Sequence, residues 1–95
     1  MAEPLERVIT DKILKALRAR GGWWKKIHGS PYSSGLPDII GCWNGQFVGL
    51  EVKRPSTRNS VTPGQQAALA AILDAGGVAG VVTSPEEALV LVLGS

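Results

Sequence analysis

A chain of 95 residues, 44% hydrophobic and 19% charged, is the size of one globular domain and too short for two cores. Its one cysteine, Cys42, excludes an internal disulfide and most thiolate zinc sites, and no apolar run approaches the ~18 residues of a membrane span. A net charge of +2 is too mildly basic to announce a nucleic-acid binder by itself.

The first segment, Leu5 to Arg20, places Leu5, Val8, Ile9, Ile13, Ala16 and Leu17 at helical spacing, and Gly21-Gly22 stops it. Before it, MAEPLERV has none of the marks of a signal peptide, so a reducing, cytoplasmic setting is expected. Trp23 to His28 reads as a short strand whose two tryptophans alternate faces, one in the core and one partly exposed. The turn material GSPYSSG follows. Leu36 to Trp43 and Gln46 to Lys53 are strands around Asn44-Gly45, the strongest short-range hairpin signal. Pro55 ends the second of them, and STRNS is a polar loop.

Thr62-Pro63-Gly64-Gln65 opens a second helix as a capping box with proline at its first position. Its buried face is expected to be Ala68, Leu69, Ile72 and Leu73. Val78 to Thr83 is a fourth strand, and Ser84-Pro85-Glu86-Glu87 opens a last helix by the same device. The expected order is α-β-β-β-α-β-α, with a parallel crossover after the third strand. The last helix, through Ala88-Leu89-Val90-Leu91-Val92-Leu93, is apolar all round, so it needs cover on more than one side. A second subunit is the expected cover in so small a domain; an added edge strand is the alternative reading of this run.

Counting outward from a two-residue turn pairs Trp43 with Gln46, then Cys42 with Phe47, Gly41 with Val48, Ile40 with Gly49 and Ile39 with Leu50. The next rung sets Asp38 against Glu51. Directly opposed residues have Cβ atoms about 5 Å apart, and like charges there are destabilising. Two such carboxylates call for a cation. Lys53 stands on the face of Glu51, two residues along. One or two carboxylates suffice for Mg²⁺, which keeps several waters, and a lysine beside it offsets charge on a phosphate. The bland alternative is an exposed sheet face with a Glu51–Lys53 ion pair and Asp38 as a strand-entry residue.

These residues resemble a known pattern. GLPDIIG followed by LEVKRP is similar to the PD-(D/E)xK nuclease signature, here Pro37-Asp38 and Glu51-Val52-Lys53. With a glutamate on the first helix, KIHGSPYSSGLPD, EVKRP, and TPGQQ opening the next helix, the chain resembles the VRR-NUC family of virus-type replication-repair nucleases from about Glu6 to Glu87. The resemblance implies an α/β, restriction-endonuclease-like αβββαβ core with a mixed sheet flanked by helices, cutting DNA with Mg²⁺ or Mn²⁺. It implies Asp38, Glu51 and the Val52 carbonyl as metal ligands and Lys53 as the catalytic lysine. Small stand-alone members resemble Holliday-junction resolvases and are often phage-encoded, which implies a bacterial or phage-infected host.

Glu6 lies on the helical arc of Ile13 and Leu17, facing the sheet, and the resemblance has it reach the metal directly or through water. Its alternative role is a first-turn acid favouring the helix dipole, which Glu3 would serve equally. Gln65 is either the capping-box glutamine or the glutamine that the family sets beside its active site. His28, Lys25, Lys26, Tyr32, Ser33 and Ser34 are candidate phosphate contacts, as are Arg54 and Arg58; a solvated edge and loop is the plainer reading of all of them. The whole reads as a metal-dependent endodeoxyribonuclease, a homodimer acting on branched DNA. A restriction-type or nicking enzyme on linear duplex and a catalytically silent DNA-binding module are the alternatives.

Overall fold

A computed structural model of the chain describes residues 2–27 and 35–94. Three helices and four strands follow one another as α1 (Glu6–Arg20), β1 (Trp23–Lys26), β2 (Ile39–Trp43), β3 (Gln46–Val52), α2 (Pro63–Asp74), β4 (Val78–Val82) and α3 (Pro85–Leu93). This is the expected order. The strands form one mixed sheet in the order β1-β2-β3-β4. β2 runs antiparallel to both of its neighbours, β1 and β3, and β4 returns parallel to β3 after the crossover through α2.

The β2–β3 hairpin has the counted register, from Trp43↔Gln46 through Ile39↔Leu50. Asn44 and Gly45 both have positive φ, 51° and 79°, which suits the right-handed twist of the strands they join. That turn fixes which residues share a face, and the whole site depends on it.

One face of the sheet carries the main core. α1 buries Ile9, Ile13, Leu14 and Leu17 against Trp24, Ile39, Val48, Leu50 and Val52, and α3 adds Ala88 and Val92. α2 covers the β3–β4 half of the opposite face. It can approach closely because β3 has a glycine there: a Cβ on Gly49 would lie 2.5 Å from the Ile72 side chain and 3.0 Å from Pro37. β3 is therefore buried on both faces from Val48 to Val52, as a central strand under helices should be.

Several expectations need correction. β2 starts at Ile39, not Leu36, and β3 ends at Val52, not Lys53. Pro37 has no N–H to give a ladder, and the Asp38 side chain takes the Val52 N–H instead, at 2.7 Å. α2 buries only Leu69 fully; Ala68 and Ile72 are half-buried and Leu73 is exposed. The capping box at Ser84 is half formed: Ser84 Oγ accepts from Glu87 N, but the Glu87 carboxylate accepts from the N–H and hydroxyl of Thr83. Finally, α3 finds most of its cover within the chain. Ala88 and Val92 are buried and Leu89 and Leu91 pack on the core, which leaves Val90, 76% exposed, as its main open apolar residue. β1 also ends at Lys26, short of His28, and β4 at Val82, not Thr83; His28, Tyr32, Ser33 and Ser34 themselves lie outside the described residues.

Candidate active site

Where β2 begins and β3 ends, the ladder stops one rung before Asp38 would face Glu51. Asp38 bends away from strand geometry but stays tied to both neighbours. Its backbone carbonyl accepts from Ile27 N at 2.8 Å, and its Oδ2 accepts from Val52 N at 2.7 Å. A carboxylate thus replaces a missing backbone partner, and its position is held from two strands at once.

Glu51 is the only buried charged side chain among the described residues, 2% exposed. Its Oε1 accepts from Gln65 Nε2 at 3.2 Å, while Oε2 is buried with no hydrogen-bond partner. A buried carboxylate oxygen without a donor is costly. The group responds by holding its proton: burial first, then Asp38, as acceptor for the proton of the neutral acid and as a like charge, and then the charge of Glu6, push its pKa from 4.5 up to about 8. Lys53 acts in the other sense, its charge favouring ionised Glu51. Lys53 is anchored at the strand end, where its N–H donates to the Val82 carbonyl at 3.1 Å.

The exposed-face alternative fails on this geometry. Glu51 lies under α2, and the ion pairs among the described residues are Lys26–Asp11, Arg54–Glu3 and Arg58–Glu87. What remains is a pair of adjacent carboxylates with an unspent, buried oxygen, a lysine near them, and the Val52 carbonyl in the same strand. That donor set is all oxygen, which suits a hard divalent ion.

Gln65 resolves its two readings by doing both. Its Oε1 accepts from Thr62 N at 3.0 Å and its N–H donates to Thr62 Oγ1 at 3.2 Å, completing the capping box. The cap engages the oxygen of the amide and so turns the NH₂ toward Glu51. Helix-start chemistry thereby orients a side chain in the site.

Glu6 is the first residue of α1, on the arc of the buried Thr10, Ile13 and Leu17 but itself exposed. Its charge is felt by Glu51, yet among the described residues no three acidic, histidine or cysteine side chains come together. Lys25 pairs with Ile40, which pairs with Gly49, so it shares the Glu51 face one row away and is exposed. Lys26 faces α1 and pairs with Asp11 at 3.3 Å. Trp24 is the core tryptophan, its Nε1 donating to the Gly21 carbonyl at 2.8 Å; Trp23 is 57% exposed.

Arg54 and Arg58 are each held by an acid far away in sequence. Arg58 pairs with Glu87 and donates to Thr83 Oγ1. Arg54 meets Glu3, whose carboxylate also takes the Ser56 N–H and hydroxyl. Neither Glu3 nor Ser56 stands out in the sequence as a partner for Arg54, because more than fifty residues separate the termini of this contact. Comparison of the chain with protein-family models, with curated proteins and with solved structures finds no match.

Proposed function

We propose that the chain is a metal-dependent DNA endonuclease of the VRR-NUC type, with a restriction-endonuclease-like core, that hydrolyses phosphodiester bonds in branched DNA such as Holliday junctions. The observation that carries this reading is the convergence of Asp38 and buried Glu51, one oxygen left without a donor, beside Lys53. Asp38, Glu51 and the Val52 carbonyl would hold Mg²⁺ or Mn²⁺, which would supply polarisation of a phosphoryl oxygen and a more acidic bound water. The protein's own part is to hold the donors still. Val52 N–H fixes the Asp38 carboxylate, and Gln65 fixes that of Glu51. Lys53 offsets charge developing on the phosphate and orients the attacking water. Glu6 biases the site's protonation through its charge, and Lys25 extends a positive flank along the same sheet face.

Cleavage of a panel of four-way junctions and linear duplexes of the same sequence, with and without Mg²⁺ or Mn²⁺, tests the reading. Metal-dependent cutting of the junction in preference to the duplex is expected. Equal cutting of linear duplex points to a restriction-type enzyme, and binding without cutting to a silent module. Lys53→Ala is expected to lose roughly 10²–10³-fold in rate with metal affinity nearly intact, since an electrostatic stabiliser acts mainly on the transition state. Calorimetry that finds metal affinity lost instead assigns Lys53 a structural role.

A junction offers two strands for paired cutting, and a two-fold dimer offers two equivalent sites. β4 is an unpaired edge strand, VAGVV, without charge or proline, although natural edges are normally blunted by one or the other. A mostly apolar groove lined by Gly80, Val81, Val82, Val90 and Leu91, with Glu86 and Glu87 also on its wall, runs beside it. A homodimer meeting along β4 and the Val90 flank of α3 covers this surface. Light scattering should give twice the 10.0 kDa chain mass, and Val81→Lys should return the monomer mass.

A further inference from the structure

Arg54 and Ser56 surround the carboxylate of Glu3 as they would surround a phosphate. Ser56 N donates to Glu3 Oε1 at 2.7 Å, Ser56 Oγ to Oε2 at 2.5 Å, and Arg54 Nε stands 3.4 Å from Oε2. Arg54 Nη2 also holds the Glu3 backbone carbonyl at 3.2 Å. The set combines a guanidinium, a hydroxyl and a backbone N–H on one anionic group, the donor chemistry that receives the free oxygens of a phosphodiester.

Two details separate this seat from an ordinary surface ion pair. Arg54 Nε is buried from solvent, yet makes no hydrogen bond to Glu3 across 3.4 Å, so a donor inside the seat is unspent. A planar carboxylate leaves it unsatisfied, whereas a tetrahedral group carries further oxygens in other directions. Second, the occupant belongs to the segment ahead of α1, whose N-cap residue Leu5 makes no side-chain capping bond. The donors, by contrast, sit on a short 3₁₀ turn, Pro55–Thr57, braced by bonds between Arg54 and Thr57. The host is built, and the guest is a side chain of the segment ahead of α1. The seat follows Lys53 directly in the chain.

We propose that Arg54 and Ser56 form a binding seat for a backbone phosphate of the substrate, and that Glu3 occupies this seat in the free protein as an internal competitor. Resting on the nuclease reading for the identity of its ligand, the arrangement makes Glu3 a latch that a phosphate must displace. The low pKa direction of Glu3, set chiefly by the Ser56 hydroxyl, agrees with a carboxylate held in its ionised form. Displacement exchanges one anion for another in the same donors, so weak or single phosphates are excluded while a polyanion with other contacts gets in.

The test uses the full chain, isotopically labelled, with inorganic phosphate as the first probe at constant ionic strength. In Glu3→Ala the Ser56 amide and Arg54 Nε resonances should shift saturably, at a phosphate concentration several-fold lower than in the wild type. Glu3→Gln, which keeps the side-chain shape, should act in the same direction. No saturable shift at Ser56 in any of the three chains overturns the seat, and the same midpoint in all three overturns the latch. The second probe is a labelled four-way junction bound in EDTA, where nothing is cut. Glu3→Ala should bind it several-fold more tightly at low salt, with a log–log salt slope steeper by about 0.9, one further phosphate contact. A phosphate response without junction binding upholds the seat and removes the nuclease reading. Junction binding that Glu3→Ala leaves unchanged overturns the latch and leaves that reading standing.

Discussion

Asp38→Asn and Glu51→Gln should each abolish metal-dependent cleavage while leaving a folded protein. Both substitutions preserve shape. An asparagine oxygen can still accept from Val52 N, and a glutamine oxygen from Gln65 Nε2, so the hydrogen bonds that hold these positions survive. What is lost is anionic charge at the pair. A metal contributes several kcal/mol of charge stabilisation in such reactions, so weakening its hold should cost roughly 10²–10⁴-fold in rate. Circular dichroism and the unfolding midpoint should be unchanged or improved while a gel assay shows uncut junction. Full activity of either variant in Mg²⁺ removes the metal assignment.

The second large effect is on stability. The folded pKa of Glu51 lies near 8, above its ordinary 4.5, so between these values the folded state holds a proton that the unfolded chain releases. For an acid raised in this way, stability is greatest below about 4.5 and falls as pH rises to about 8, because the slope follows the excess of protons bound by the unfolded state, here negative. From pH 5 to pH 9 the metal-free protein should lose on the order of 2–4 kcal/mol from this group. Thermal unfolding in EDTA should therefore show a midpoint that declines across neutral pH. Glu51→Gln removes the ionisation and lets the new NH₂ face Asp38, so its midpoint should exceed the wild type's at pH 9, by roughly 4–8 °C per kcal/mol recovered. Mg²⁺ or Mn²⁺ should restore much of the wild-type loss, since a bound cation favours the deprotonated pair and binds only the folded state. A flat wild-type profile, or a variant less stable than the wild type at pH 9, would contradict a buried, proton-holding Glu51.

These two results are linked by one physical circumstance. An acid placed inside a central strand lowers stability unless a proton or a cation accompanies it, and the Glu51 environment is arranged so that either can. Lys53 and Glu6 tilt that balance in opposite directions, Lys53 toward the ionised form and Glu6 toward the protonated one.

Local chemistry determined much of the protein in advance. The Asn44-Gly45 turn dictates its two-residue hairpin and the register out to Ile39 and Leu50, which brings Asp38 to the end of β3, where its carboxylate takes the Val52 N–H next to Glu51. Helical spacing marked α1, and Thr62 with Gln65 marked the start of α2, because caps are contacts within four residues. Tertiary structure decided what depends on contacts across long stretches of chain. Whether the Glu51 face was open or covered turned on where α2 comes down, which Gly49 permits but does not announce. Whether Gln65 served the cap or the site turned on the same docking, and its two-ended amide serves both. The partners of Arg54 and Arg58, Glu3 and Glu87, come from the opposite ends of the chain. No periodicity or motif encodes such pairings; they exist only once α1 and α3 have packed together on one face of the sheet and brought Glu3 and Glu87 to the loop that follows β3.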